Sequence, residues 1–144
     1  MKLSTRSRYG ARLLLEVASS GDKRISLGEV TSRSRVSRSY AERVIAPLIA
    51  AGIITSYRGS GGGICLGRSA SDIKLGEVVR LLEGDTLVTH CIGRPETCTR
   101  SDSCTMRMLW KSVEDAIFSV LDSTTIQELA DTLRAGDNQT NCPA

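Results

Sequence analysis

Aromatic residues and histidine are scarce in this chain. Phe, Trp and Tyr make up 3% of its 144 residues, and there is 1 histidine. A core with so few aromatic side chains has to be built from Leu, Ile, Val and Ala, a composition that favours helices. Because the sequence offers no paired-carboxylate or nucleophile motif beside that histidine, we expect neither an enzyme nor a small-molecule substrate.

A long hydrophobic run is also missing. No apolar stretch approaches the roughly 20 residues that cross a bilayer. The basic start, residues 1–8, is not followed by the apolar stretch and small-residue cleavage site of a secretory signal. We therefore expect a cytoplasmic protein without a membrane partner. A length of 144 residues fits one compact domain, or a small domain with an appended element, and excludes the large α/β barrels.

Charge is present but unevenly distributed. Residues 1–68 hold 12 Lys and Arg against 4 Asp and Glu, whereas residues 69–144 hold 7 against 12. The basic half suits a polyanion such as DNA, because Lys and Arg release the counterions condensed on phosphates. Most charge clusters are solvated surface, however, so DNA binding has to be supported by a motif.

The basic half predicts helices followed by a hairpin. The predicted elements are a helix from Ser4 or Thr5 to Gly21, a short helix capped by Ser26 with Glu29 and reaching Val30, a polar loop over 31–36, a helix from Ser37 to Gly52 weakened by Pro47, and strands at 53–57 and 64–66 around a glycine-rich turn. This order is typical of a winged helix-turn-helix, in which one helix enters the major groove and the hairpin lies beside the backbone or in the minor groove. We predict a mainly α DNA-binding domain of this type over residues 1–70.

The acidic half predicts linking and dimerisation elements. The predicted segments are a linking helix with a cysteine loop over 71–104, a dimerisation helix and a short last helix over 105–135, and a flexible tail over 136–144. We expect Ser71 and Asp72 to cap the linking helix, and Thr124 and Thr125 to cap the last one. The apolar stripe over 105–121 is larger than a small monomer can cover, which favours a dimer helix over a core helix.

Three of the 5 cysteines, Cys91, Cys98 and Cys104, crowd into one stretch. In a chain without an export signal, such clustering indicates a metal or redox site more than a disulfide framework. Thiolates select zinc, copper(I) or iron-sulfur clusters. Zinc sites typically use cysteine pairs that are closer in sequence, so this spacing favours a cluster, with zinc and redox-reactive thiols as alternatives. His90, directly before Cys91, is a candidate fourth ligand.

Four motifs and the cysteine loop give the chain a recognisable pattern. The motifs are Met1-Lys2-Leu3-Ser4-Thr5 with Tyr9-Gly10-Ala11, Val36-Ser37-Arg38-Ser39-Tyr40, the wing Ser56-Tyr57-Arg58-Gly59-Ser60-Gly61-Gly62-Gly63, and Leu75-Gly76-Glu77-Val78-Val79. Over residues 1 to about 135 the chain resembles the Rrf-type winged-helix transcriptional regulators. That family includes iron-sulfur cluster assembly regulators, the IscR group, and nitric oxide sensors, the NsrR group. The IscR group is the more similar of the two, partly through Leu109-Trp110 after Cys104.

The resemblance implies a homodimer that binds a palindromic operator in double-stranded DNA and carries an iron-sulfur cluster, [2Fe-2S] rather than [4Fe-4S], on the three cysteines. The candidate DNA contacts are Arg38, Ser39, Tyr40, Glu42, Arg43, Arg58 and Gly59. Glu42 can accept a hydrogen bond from cytosine N4, and Arg58 can enter a narrow minor groove. Tyr40 can reach DNA or can instead pack against the first helix.

Two positions depart from the family pattern. The IscR group carries a histidine ligand three residues after the third cysteine, where this chain has Arg107. The NsrR group takes an aspartate from the partner's first helix, where this chain has Arg8. The fourth ligand therefore stays open among His90, Glu96, Asp102 and an exogenous group. Two other classes also stay open, a metal-free thiol redox regulator and a zinc-structural or metal-storage protein.

Overall fold

The computed structural model describes residues 3–84 and 88–136. Its helices are α1 (Thr5–Ser19), α2 (Leu27–Ser34), α3 (Arg38–Ala50), α4 (Leu75–Glu83), the single turn α5 (His90–Gly93), α6 (Thr105–Ser123) and α7 (Ile126–Gly136). Strands β1 (Ile54–Tyr57) and β2 (Gly63–Leu66) form an antiparallel hairpin in which Ile54 pairs with Leu66 and Tyr57 with Gly63. The predicted mainly helical fold with a small β-hairpin wing is confirmed.

The starts of α1 and α2 follow from their capping residues. Ser4 precedes α1, and its side chain accepts a hydrogen bond from the Ser7 backbone N–H. Ser26 and Glu29 form a complete capping box, because each side chain accepts from the other residue's backbone N–H. The Ser26–Glu29 cap was predicted, because a cap depends on residues only three positions apart, and α1 begins at Thr5, one of its two predicted starts.

The second helix is longer than the sequence indicates. The prediction of a loop over 31–36 is wrong for residues 31–34, because α2 continues to Ser34. Val30, Thr31 and Ser34 are buried on one face of this helix, and the Thr31 hydroxyl donates to the Gly28 carbonyl at 3.0 Å. Packing therefore outweighs the weak helix preference of Ser and Thr, and the chain leaves the helix at Arg35, whose φ is +52°.

The third helix runs through Pro47 and ends at the predicted Ala51–Gly52. Its buried face, formed by Val44, Ile45 and Leu48, contributes packing that offsets the backbone donor lost at the proline. Ser37 occupies the predicted N-cap position, although its side chain makes no capping hydrogen bond.

The linking helix begins later than predicted. Ser71 and Asp72 do not cap α4, because its N-cap is Lys74. Ile73 and Lys74 instead pair in extended conformation with the residues at the start of α7. The Ile126 N–H donates to the Ile73 carbonyl at 3.0 Å, and Lys74 forms a bridge with Thr125. A contact over some fifty residues thus decides where this helix begins.

The core surrounds α1, which packs against α2, α3, α4 and α7. Its fully buried side chains include Leu13, Leu14, Val17, Val30, Val44, Leu48, Ile53, Ile73, Val78 and Ile126. Among the helices described, none is long and apolar enough to cross a membrane. Gly136, expected to open the tail, is instead the last residue of α7, and residues 137–144 of that predicted tail lie outside the described part of the chain.

Candidate DNA interface and cysteine loop

The exposed face of α3 carries three of the predicted DNA contacts, Ser39, Glu42 and Arg43. Ser39, Glu42, Arg43 and Ala46 are exposed and repeat at three- to four-residue spacing, so they lie on one face of the helix. Arg38 flanks this face and forms an ion pair with Glu42 at 3.1 Å. Because both side chains are more than half exposed, at 71% and 54%, this pair is weak and leaves Glu42 available to DNA.

Tyr40 packs against the first helix. Its ring is half-buried and lies edge-on to the Tyr9 ring, with the ring centres 5.9 Å apart. The Arg43 guanidinium carbon lies 5.5 Å from the Tyr40 ring centre. The Tyr40 ring therefore packs against α1, which is one of the two placements expected from the sequence. Its contact with DNA stays a prediction.

The wing is fixed at its base and exposed at its tip. Ile25 and Ile64 exchange two backbone hydrogen bonds of 2.9 Å, and the Arg24 guanidinium carbon lies 3.7 Å from the Tyr57 ring centre. The tip residues Arg58 and Gly59 are exposed. Gly59 has a φ of +92°, which a glycine adopts without strain, so the tight turn requires this residue type.

The three cysteines lie on an irregular segment between α4 and α6. Cys91 is in α5, Cys98 follows a 3-10 turn, and Cys104 immediately precedes α6. All three are free thiols; Cys98 is exposed and the other two are half-buried. Within residues 3–84 and 88–136, no three Cys, His, Asp or Glu side chains come close enough to hold a metal ion. The exposed candidate ligand His90 is not gathered with them either.

The chemistry of this segment nevertheless fits an iron-sulfur cluster. Three free thiols supply the soft ligands that such clusters use. Ser101, between Cys98 and Cys104, is 6% exposed, and its hydroxyl has no hydrogen-bond partner in this structure. A buried hydroxyl normally finds a partner, so this one is available to a group held by the cysteines. Cluster binding would require the three sulfurs to come together.

Arg107, which stands where the IscR group has a histidine ligand, contacts the cysteine loop. Its Nε donates to the Cys91 carbonyl at 2.8 Å, and its Nη1 lies 3.5 Å from the Ser101 carbonyl. The guanidinium thus ties two parts of the cysteine loop to the first turn of α6. A guanidinium has donors only, so Arg107 cannot replace a histidine ligand. No local sequence signal reveals this contact, because it spans up to sixteen residues of irregular backbone.

The cysteine loop is connected to the DNA-binding elements through α4. Arg80 of α4 forms a two-pronged ion pair with Asp122 of α6, with hydrogen bonds of 2.7 and 2.8 Å, and these hold the pKa of Asp122 below its usual value. A side chain at Gly76 would occupy the space of the Asp122 carboxylate, which explains the glycine in that motif. Glu83, the last residue of α4, accepts a hydrogen bond of 2.7 Å from the Ser4 N–H at the start of α1.

The sixth helix presents an apolar surface that nothing in the described protomer covers. Of its residues, only Glu114 is buried. Met106, Leu109 and Trp110 are 50%, 51% and 37% exposed, and Val120 near the other end is 65% exposed. These residues belong to the predicted dimerisation stripe, and an exposed stripe of this kind is typical of a protein-protein interface.

Comparison with known proteins agrees with this architecture. Residues 3–132 match the Rrf2 family model, described as an iron-dependent transcriptional regulator. The chain is 34% identical over 145 residues to the HTH-type transcriptional regulator IscR of Yersinia enterocolitica, covering 98% of this chain and 88% of that protein.

Two solved structures share the fold. The IscR of T. potens has 31% identity and a TM-score of 0.74, with 99% of this chain and 94% of that one covered. The oxidized form of CymR from Staphylococcus aureus has 36% identity and a TM-score of 0.70, with coverages of 90% and 96%. The family model matches nearly the whole chain, the structure contains a winged helix-turn-helix, and the IscR relative is covered over 88% of its length. Together these findings show that this chain belongs to the Rrf2 family of DNA-binding transcriptional regulators and is IscR-like.

Proposed function

We propose that this chain is a homodimeric regulator that senses iron-sulfur cluster status through Cys91, Cys98 and Cys104. It would control genes of cluster biogenesis or of related iron, redox or nitric oxide responses. The observation that carries the proposal is the placement of three free thiols on one irregular segment directly before α6. In this assignment residues 1–70 bind DNA, 71–104 hold the sensor and 105–135 form the dimer.

The loop and the DNA-binding elements are mechanically joined in the protomer. A bound cluster would supply a redox-active group, and its loss or oxidation would change the conformation of the cysteine loop. Arg107 ties that loop to α6, the Arg80–Asp122 pair ties α6 to α4, and Glu83 ties α4 to the start of α1. A change in the loop would therefore alter the position of α1 and α3, and with it the spacing of the two DNA-binding domains in a dimer.

Resemblance to the IscR group favours [2Fe-2S] over [4Fe-4S]. The three thiolates leave one ligand position to be filled. His90, Glu96 and Asp102 are all exposed and so are accessible as the fourth ligand, as is an exogenous group. A site with one weak ligand would release its cluster readily, which suits a sensor.

The dimer would present two recognition helices to a palindromic operator. The exposed apolar residues of α6 supply the interface, and a two-fold axis between the protomers sets the half-site symmetry. In each half-site Ser39, Glu42 and Arg43 would face the major groove, and Arg58 with Gly59 would approach the backbone or minor groove.

A metal-free thiol redox regulator is the second candidate. The solved relative CymR is described in an oxidized form, and in this chain Cys98 is exposed while Cys91 and Cys104 are half-buried. In that case disulfide exchange among the loop cysteines would take the place of the cluster as the signal. Reversible loss of DNA binding on oxidation, in protein that contains no iron, would favour this candidate.

The test is purification of the full chain without oxygen, followed by visible absorption and analysis of iron, acid-labile sulfide and zinc. We expect a coloured protein with matched iron and sulfide. Cys98→Ala should abolish the colour and leave a folded dimer, and Cys65→Ala, which removes a free thiol outside the loop, should keep it. Colourless protein that resists reconstitution would refute cluster sensing, and zinc in its place would indicate a structural metal.

A further inference from the structure

The recognition helix α3 is bordered by a cleft on each side. On the wing side a cleft of about 560 Å³ is lined by residues that include Arg38, Glu42 and Gly59. On the opposite side, between α3 and the start of α1, a cleft of about 380 Å³ is lined by Arg6, Tyr40, Arg43 and Val44. Ala46 also lines the wing-side cleft, whereas the exposed Ser39 lines neither cleft and lies between them on the helix surface.

This arrangement matches the geometry of a major groove. The groove is about 12 Å wide, and a helix with its side chains is about 10–12 Å across. A helix seated in it therefore has one phosphate backbone close to each of its sides. The wing can contact the phosphate backbone on one side of α3. On the α1 side, the candidate DNA contacts all belong to α3 itself.

The α1-side cleft has the chemistry of a phosphate site. Arg6 and Arg43 are both exposed, and neither forms an ion pair within the described part of the chain. Tyr40 contributes an aromatic ring fixed from two sides by Tyr9 and Arg43, so this wall of the cleft is preorganised. Arginine is suited to phosphate because its planar donors can bind two oxygens at once.

We propose that Arg6, with Tyr40 and Arg43, binds a backbone phosphate of DNA on the side of α3 opposite the wing. Arg6 belongs to α1, so the site couples DNA binding to the helix whose first residues are held by Glu83 of α4. The proposal rests on the DNA-binding part of the proposed function and not on the cluster. Contacts to phosphates position the protein without reading sequence.

The experiment measures DNA affinity of the full chain by fluorescence anisotropy over a range of salt concentrations. The probes are a labelled duplex recovered by selection from random sequences with the wild-type protein, and a random duplex of the same length. Arg6→Ala should weaken binding to both roughly tenfold. It should also reduce the slope of log Kd against log salt by about 0.9, the value for one phosphate contact.

Two further variants serve as controls. Arg12→Ala removes an exposed arginine from the same helix, outside the cleft, and should leave the slope unchanged. Arg6→Lys keeps the charge and should retain the slope with partial affinity. Thermal unfolding checks that each variant keeps the wild-type fold.

Replacing single phosphates of the selected duplex by uncharged methylphosphonates locates the contact. Wild-type protein should lose roughly tenfold at one position in each half-site, and Arg6→Ala should lose nothing more there. Equal behaviour of Arg6→Ala and Arg12→Ala, or equal sensitivity at every phosphate, would overturn the proposal. Arg6-dependent binding without preference for the selected duplex would support the phosphate site and refute sequence-specific regulation, whereas no binding to either duplex would refute both.

Discussion

Replacement of Arg107 by alanine should open the cysteine loop. The side chain makes one short hydrogen bond, 2.8 Å to the Cys91 carbonyl, and a second at the 3.5 Å limit to the Ser101 carbonyl. A hydrogen bond to a charged group contributes about 1.5–3 kcal/mol. Arg107 is half-exposed and its second bond is long, so we expect its loss to destabilise the closed loop by about 1–2 kcal/mol. This free energy corresponds to a roughly 5- to 30-fold increase in the population of the open loop.

The assay is the rate of iodoacetamide labelling of each cysteine in metal-free protein, read by mass spectrometry. Cys98 is exposed and serves as the internal standard, so the ratio of Cys91 to Cys98 labelling reports loop opening. Lys111→Ala is the matched control, because Lys111 lies one turn further along α6 and, among residues 3–84 and 88–136, pairs only with Asp115 of the same helix. The reasoning is refuted if Arg107→Ala and Lys111→Ala give the same ratio.

Three further outcomes are expected. Leu48→Ala, at a fully buried position of α3, should lower the free energy of unfolding in urea by about 2–5 kcal/mol through cavity formation. If the proposed dimer forms through α6, Val120→Asp should shift it to monomer in analytical ultracentrifugation, whereas Met108→Asp, elsewhere on the same helix and 72% exposed, should not. The pKa of Glu128 is lowered by hydrogen bonds with the backbone and side chain of Thr125, so their stabilisation of α7 is present above the usual glutamate pKa and is lost as pH falls through the lowered value. Glu128→Gln should therefore flatten the dependence of Tm on pH over that acidic range.

Sequence alone determined the features that depend on neighbours within one or two turns. The Ser4 cap, the Ser26–Glu29 capping box and the glycine-rich wing all follow from residues a few positions apart. The same holds for the exposed face of α3, since helical periodicity places Ser39 and Arg43 together once the helix exists. The winged-helix class and the apolar stripe on α6 could therefore be predicted.

Tertiary structure decided the rest, because distant contacts outweigh local preference. Burial of Ser34 extends α2 through a polar stretch, and pairing with Thr125 delays the start of α4 to Leu75. The partners of Arg107 and the cleft beside Arg6 arise from chain segments that the sequence does not bring together. Composition and spacing can supply thiols and arginines, but only the packing of α1, α4 and α6 around them determines which groups they meet.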